Sequence, residues 1–123
     1  MRSGLQVHGP LARGAFALAG LASLAILFAP ASDVPSAPPG TDKLVHATLF
    51  AALALTGRWA GIARPVLASV LVLYAASSEV VQGLIGRDAA VGDLLADVVG
   101  VLIGLLAWHW LARRVAHGPD GLA

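Results

Sequence analysis

Cysteine is absent from the chain. That excludes disulfides, thiol nucleophiles and thiolate metal sites, and it leaves the redox compartment unread. Charge is scarce as well. Only 12% of residues are Asp, Glu, Lys or Arg, against about 25% in ordinary soluble domains. The net charge is +1 and no basic cluster occurs, so nothing marks a nucleic-acid partner. The sequence has no His-x-x-x-His or Glu-x-x-His ligand pair, no Ser-His-Asp order, no phosphate loop and no dinucleotide fingerprint. The strong signatures of metal, nucleotide and acyl-transfer chemistry are therefore missing, and no metal or cofactor is expected.

What the chain does have is oil. Of its 123 residues, 58% are hydrophobic, more than the modest core of so short a soluble chain could hold. Lipid is the expected main solvent, in an all-α, four-helix transmembrane bundle. The expected spans are about 14–30, 42–59, 66–85 and 93–111. Residues 1–13 form an N-terminal segment and 113–123 a tail. Gly14 to Ala29 carries no charge, and its length is at the short end for a span of about 20 residues. Ala29-Pro30-Ala31 resembles a small-x-small cleavage site, but its proline favours an uncleaved first helix. Residues 30–41 hold four of the seven prolines and read as an extended connector. Thr41 or Asp42 can cap the second helix, and Pro65 suits the first turn of the third. Ala68, Val72, Ala75, Ala76, Glu79 and Gln82 share one face of that third helix. Asp93, Asp97, Gly100 and Gly104 share one face of the fourth. Gly100-x-x-x-Gly104 is a close-packing pattern, expected at the contact between the third and fourth helices.

Charge asymmetry sets the orientation. Arg2 and Arg13, Arg58 and Arg64, and Arg113 and Arg114 fall on one side of the membrane. The positive-inside rule then places both termini in the cytoplasm. The connector and the Gly86–Gly92 loop face outward.

This topology gathers the polar residues. Asp42, Lys43 and His46 open the second helix, Glu79 and Gln82 close the third, and Asp93 and Asp97 open the fourth. Arg87 lies in the loop between the last two. At about 1.5 Å per residue, His46, Glu79 and Asp97 are level, one to two turns inside the outer surface. Plainer readings exist for several. Asp42 and Asp93 can be helix caps, Gln82 can reach solvent, Arg87 and Asp88 can be a solvated pair, and Tyr74 reads as packing. Glu79 and Asp97 sit within helices, where carboxylates face a bundle interior or wet cavity. They could share a proton, with His46 beside them, and these three are the candidate catalytic residues. His46 with Glu79, Asp93 and Asp97 could also coordinate a divalent metal, without the ligand spacing of a strong motif. Asp42, Lys43, Gln82, Arg87 and Asp93 are the candidate binding residues. Lys43 and Arg87 suit an anionic head group.

Asp42-Lys43-x-x-His46, then Glu79-x-x-Gln82 and Arg87, then Asp93-x-x-x-Asp97-x-x-Gly100-x-x-x-Gly104 together resemble the VanZ-like family over about residues 42–107. The resemblance implies a small bacterial integral membrane protein of the cell envelope. The family's namesake is associated with resistance to teicoplanin, a lipid-bearing glycopeptide. The expected partners are the lipid bilayer, a lipid-linked envelope component and further copies of the chain. Rival readings are an enzyme doing acid–base chemistry on a lipid, a small oligomeric transporter, and a structural module of a larger complex. The absence of native cysteine makes the topology directly testable. A cysteine at Ser36 or Ala90 should react with an impermeant thiol reagent in intact cells, and one at Gly61 should not. Labelling at Gly61 overturns the topology.

Overall fold

A computed structural model describes residues 7–29, 38, 40–85 and 91–116. They form helices α1 (Pro10–Leu27), α2 (Thr41–Trp59), α3 (Arg64–Leu84) and α4 (Val91–Ala116), with no strand among the described residues. Most of the connector, Arg87 and Asp88, and the tail from His117 lie outside the described residues. Local chemistry explains the starts. Pro10 opens α1 and Pro65 lies in the first turn of α3, where a missing N–H costs nothing. α2 begins after Gly40 at φ 89°, with no side-chain cap bond from Thr41 or Asp42. The expected cap is thus replaced by a left-handed glycine turn. Arg13 lies inside α1, and α4 continues through Arg113 and Arg114 to Ala116.

α1, α3 and α4 are each long and apolar enough to cross a membrane. Only 17%, 28% and 33% of their apolar windows are buried, so most of that apolar surface faces outward. Leu18, Leu21, Leu73, Leu102 and Leu106 are all exposed. α2 carries Asp42, Lys43, His46 and Arg58 and falls short of that measure, so three helices rather than four qualify. It instead packs against all three of the others, most extensively α4. The core between the helices is Leu27, Phe50, Leu53, Ala54, Leu67, Leu71, Ala75 and Val101.

The glycine face of α4 meets α2, not α3 as its sequence neighbourhood suggests. A Cβ on Gly100 would collide with the backbone of Ala47, and one on Gly104 with the backbone of Ala51 and, at 2.6 Å, Ala54 Cβ. α2 supplies Ala47 and Ala51 at the same four-residue spacing. α3 offers the bulkier Leu67 and Leu71, which cannot let backbones come so close. The face of α3 also differs from expectation. Leu67, Leu71, Ala75, Ser78 and Gln82 are buried, while Val72 and Ala76 are exposed. Leu67 fills the space over Gly57, where a Cβ would lie 2.7 Å from it.

Two polar contacts tie α1 to α3. Ser23 Oγ donates to Gly20 O at 2.7 Å, so the Tyr74 hydroxyl donates to Ser23 Oγ at 2.8 Å. The Tyr74 ring packs on Phe28 and Phe50, in keeping with a packing role. Gln82 does not reach solvent. It is 1% exposed, and its Nε2 donates 2.9 Å to Leu27 O, closing the last turn of α1.

Gly61 has φ 98°, so an inside-facing cysteine probe is better placed at exposed Ala63. Gly104→Leu should lower stability by at least about 1–3 kcal/mol through overpacking, read as a lower unfolding temperature in detergent. Ala107→Leu, on the exposed side of α4, should change it little. Equal stability of the two variants would show that α2 and α4 do not touch at Gly104.

Candidate functional site

The close approach of α2 and α4 sets the depth and spacing of their polar side chains. The two helices run parallel, so the first turns of both lie at one end of the bundle. The last turns of α1 and α3 meet at that same end, where Gln82 bonds Leu27. His46, in the second turn of α2, points across to α4. Its Nδ1 lies 2.7 Å from Asp97 Oδ1, with His46 1% and Asp97 0% exposed. An ionised carboxylate only accepts, so His46 Nδ1–H is the donor.

The other edge of the imidazole faces the bundle end. His46 Nε2 lies 3.8 Å from Asp42 Oδ1 and 3.8 Å from Asp93 Oδ2. Asp93 is buried in the first turn of α4, where the helix dipole favours its charge. Its other oxygen, Oδ1, accepts from Lys43 Nζ at 3.4 Å. Lys43 reaches it by crossing Gly92, where a Cβ would lie 2.8 Å from Lys43 Cε. Neither Asp42 nor Asp93 is simply a cap: each turns an oxygen toward His46.

Glu79 comes from α3. One oxygen of it, one of Asp97 and a ring nitrogen of His46 all lie within 4.8 Å of one another. The same holds for Asp42, His46 and Asp93. The structure thus brings together His46, Glu79, Asp97, Asp42, Asp93 and Lys43 around a single imidazole. Gln82 is assigned to closing α1, and Arg87 lies outside the described residues. Two buried atoms of the cluster, His46 Nε2 and Asp97 Oδ2, have no hydrogen-bond partner among the described residues, and neither has Gln82 Oε1.

The chemistry follows from the inventory. Four carboxylates surround one imidazole and one ammonium, so the cluster is rich in acceptors and poor in donors. It can hold a proton or a cation, and it can orient His46 as an acid–base group through Asp97. The sequence reading placed Glu79 and Asp97 first and His46 beside them. The structure makes His46 the hub, which the Asp42-x-x-x-His46 spacing indicates only for one of its two nitrogens. Nothing in the sequence marks Gly92 as the point where Lys43 crosses α4.

Scans against family models, curated proteins and solved structures found no match. His46→Leu should be strongly destabilising, about 3–5 kcal/mol, because Asp97 would be left buried without its partner. His46→Leu with Asp97→Leu should recover part of that loss. A thermal-unfolding double-mutant cycle in detergent measures it, and strictly additive effects would mean the pair is not coupled.

Proposed function

We propose that this chain is an integral membrane protein of the bacterial cytoplasmic membrane, of VanZ-like type. Its polar cluster faces outward and binds or acts on the head group of a lipid-linked or lipophilic anionic envelope molecule. The observation that carries this reading is the convergence of three helices' ionisable side chains on one buried imidazole, at one end of an otherwise apolar bundle. Charged groups at membrane depth are costly, and they mark binding or proton-handling sites. Lys43, 54% exposed at its side chain, stands at the mouth and supplies a cation for a phosphate or carboxylate. His46, held by Asp97, supplies an acid–base group behind it. The arginines at the opposite end of the bundle support the outward orientation. The ordered Asp-Lys, Glu-Gln and Asp-Asp motifs support the family reading and, through it, a link to glycopeptide resistance.

A transporter is less favoured because its site belongs near the bilayer midplane, and His46 and Asp97 lie in the second turns of their helices. A structural module for a larger complex is less favoured as well. Gly100 and Gly104, its natural docking face, are covered by α2.

Native mass spectrometry of protein extracted from bacterial membranes in mild detergent tests the proposal. The wild type should carry an anionic amphiphile, Lys43→Gln should lose most of it, and Arg114→Gln at the other end should keep it. A wild type that carries no such molecule, or equal retention by Lys43→Gln, overturns it.

A further inference from the structure

The geometry points to a divalent-cation site at the mouth of the cluster, formed by Asp42 Oδ1, His46 Nε2 and Asp93 Oδ2, with Asp97 fixing the imidazole from behind. It stands on side-chain geometry and does not depend on what the cluster recognises.

His46 has two edges with different tasks. Nδ1 is engaged by Asp97 Oδ1 at 2.7 Å, a hydrogen-bond distance with no room for an ion between the atoms. Nε2 is the orphan. It lies on a side chain 1% exposed and has no hydrogen-bond partner among the described residues. It aims at two carboxylate oxygens 3.8 Å away, too far for a hydrogen bond. An imidazole that donates from Nδ1 presents a lone pair at Nε2, and a lone pair facing two anions is repulsive unless something positive lies between them. One oxygen of Asp42, one of Asp93 and a ring nitrogen of His46 lie within 4.8 Å of one another. Atoms so spaced surround a point about 2.0–2.5 Å from each, the range of metal–nitrogen and metal–oxygen bonds.

Two further features agree. A carboxylate accepting from the far N–H of a ligating histidine is the usual support of such a site, and Asp97 occupies that position. Asp93 divides its oxygens, Oδ1 to Lys43 and Oδ2 toward Nε2, so the lysine does not fill the gap. One imidazole and two carboxylates suit a first-row divalent ion such as Zn²⁺, Co²⁺ or Mn²⁺. Asp42, 55% exposed at its side chain, leaves the outer coordination positions open to water or to an oxygen of a ligand. The second grouping, His46 with Glu79 and Asp97, is the weaker candidate because His46 and Asp97 are already joined by a 2.7 Å hydrogen bond.

The test is titration of the full-length, chelator-stripped protein in detergent with Co²⁺, followed by its visible absorption, and with Zn²⁺, followed by metal content. One ion should bind per chain. Asp42→Asn changes an exposed residue and should fold normally, yet weaken binding at least tenfold. Asp97→Asn should weaken it about 10–100-fold and shift the Co²⁺ spectrum, although Asp97 does not touch the ion. His8→Asn and His109→Asn, at histidines exposed away from the cluster, should leave the titration unchanged. The site is disproved by no saturable binding, by Asp42→Asn binding like the wild type, or by loss of binding in the His8 or His109 variant. The imidazole then carries a second proton and pairs with Asp42 and Asp93 as a plain ion pair.

Discussion

The backbone-to-backbone approach of α4 on α2 is the constraint on which the rest of the structure depends. Without a Cβ at Gly100 and Gly104, α4 settles against Ala47, Ala51 and Ala54. A helix cannot come this close in one turn and stay apart in the next. The contact therefore also brings the opening turns of both helices together, and those turns carry Asp42, Lys43 and His46 on one side and Asp93 and Asp97 on the other. The 2.7 Å His46–Asp97 bond follows from packing as much as from electrostatic attraction. In turn it satisfies two groups whose burial alone would be expensive.

This arrangement also resolves how α2 can be the most polar helix of an oily chain. α1, α3 and α4 all pack on it, so its ionisable groups meet protein and the open end of the bundle rather than hydrocarbon. The outer helices show the reverse pattern, with leucine and valine on their free faces. A bundle with its polar element inside and its apolar elements outside is the order expected when lipid is the solvent. It also explains the second set of ties. Gln82 to Leu27 and Tyr74 to Ser23 close α1 against α3, so both helix pairs are joined by hydrogen bonds in a setting where hydrophobic burial between helices contributes little.

The acidic balance of the cluster and the anionic ligand proposed for it are compatible through a bound cation. Asp42, Asp93, Asp97 and Glu79 outnumber Lys43 and His46. An ion held by Asp42, His46 and Asp93 would turn the mouth from a repulsive surface into one with an open positive centre. Lys43 would then be a second contact rather than the sole attraction for a phosphate or carboxylate. The two proposals remain separable, because metal binding is read in detergent without an amphiphile.

Much was legible in the sequence by itself. Apolar run lengths and the prolines and glycines between them define four helices, and their boundaries depend on local chemistry that the sequence carries. The common level of His46, Glu79 and Asp97 follows from helix rise and alternating direction, which need no knowledge of packing. Which faces meet was decided only by the tertiary structure. Periodicity says that Gly100 and Gly104 share a face, but not whether α2 or α3 covers it. That choice rests on the complementary small residues Ala47 and Ala51 and on the bulk of Leu67 and Leu71. The same holds for Gln82, whose polarity suggested solvent until α1 supplied a carbonyl. It holds for His46 as well, since the direction of its Nδ1 depends on Asp97, two helices further along the chain. Helix formation is governed by neighbours in sequence, whereas pairing across helices is governed by shape and charge that only the folded chain brings together.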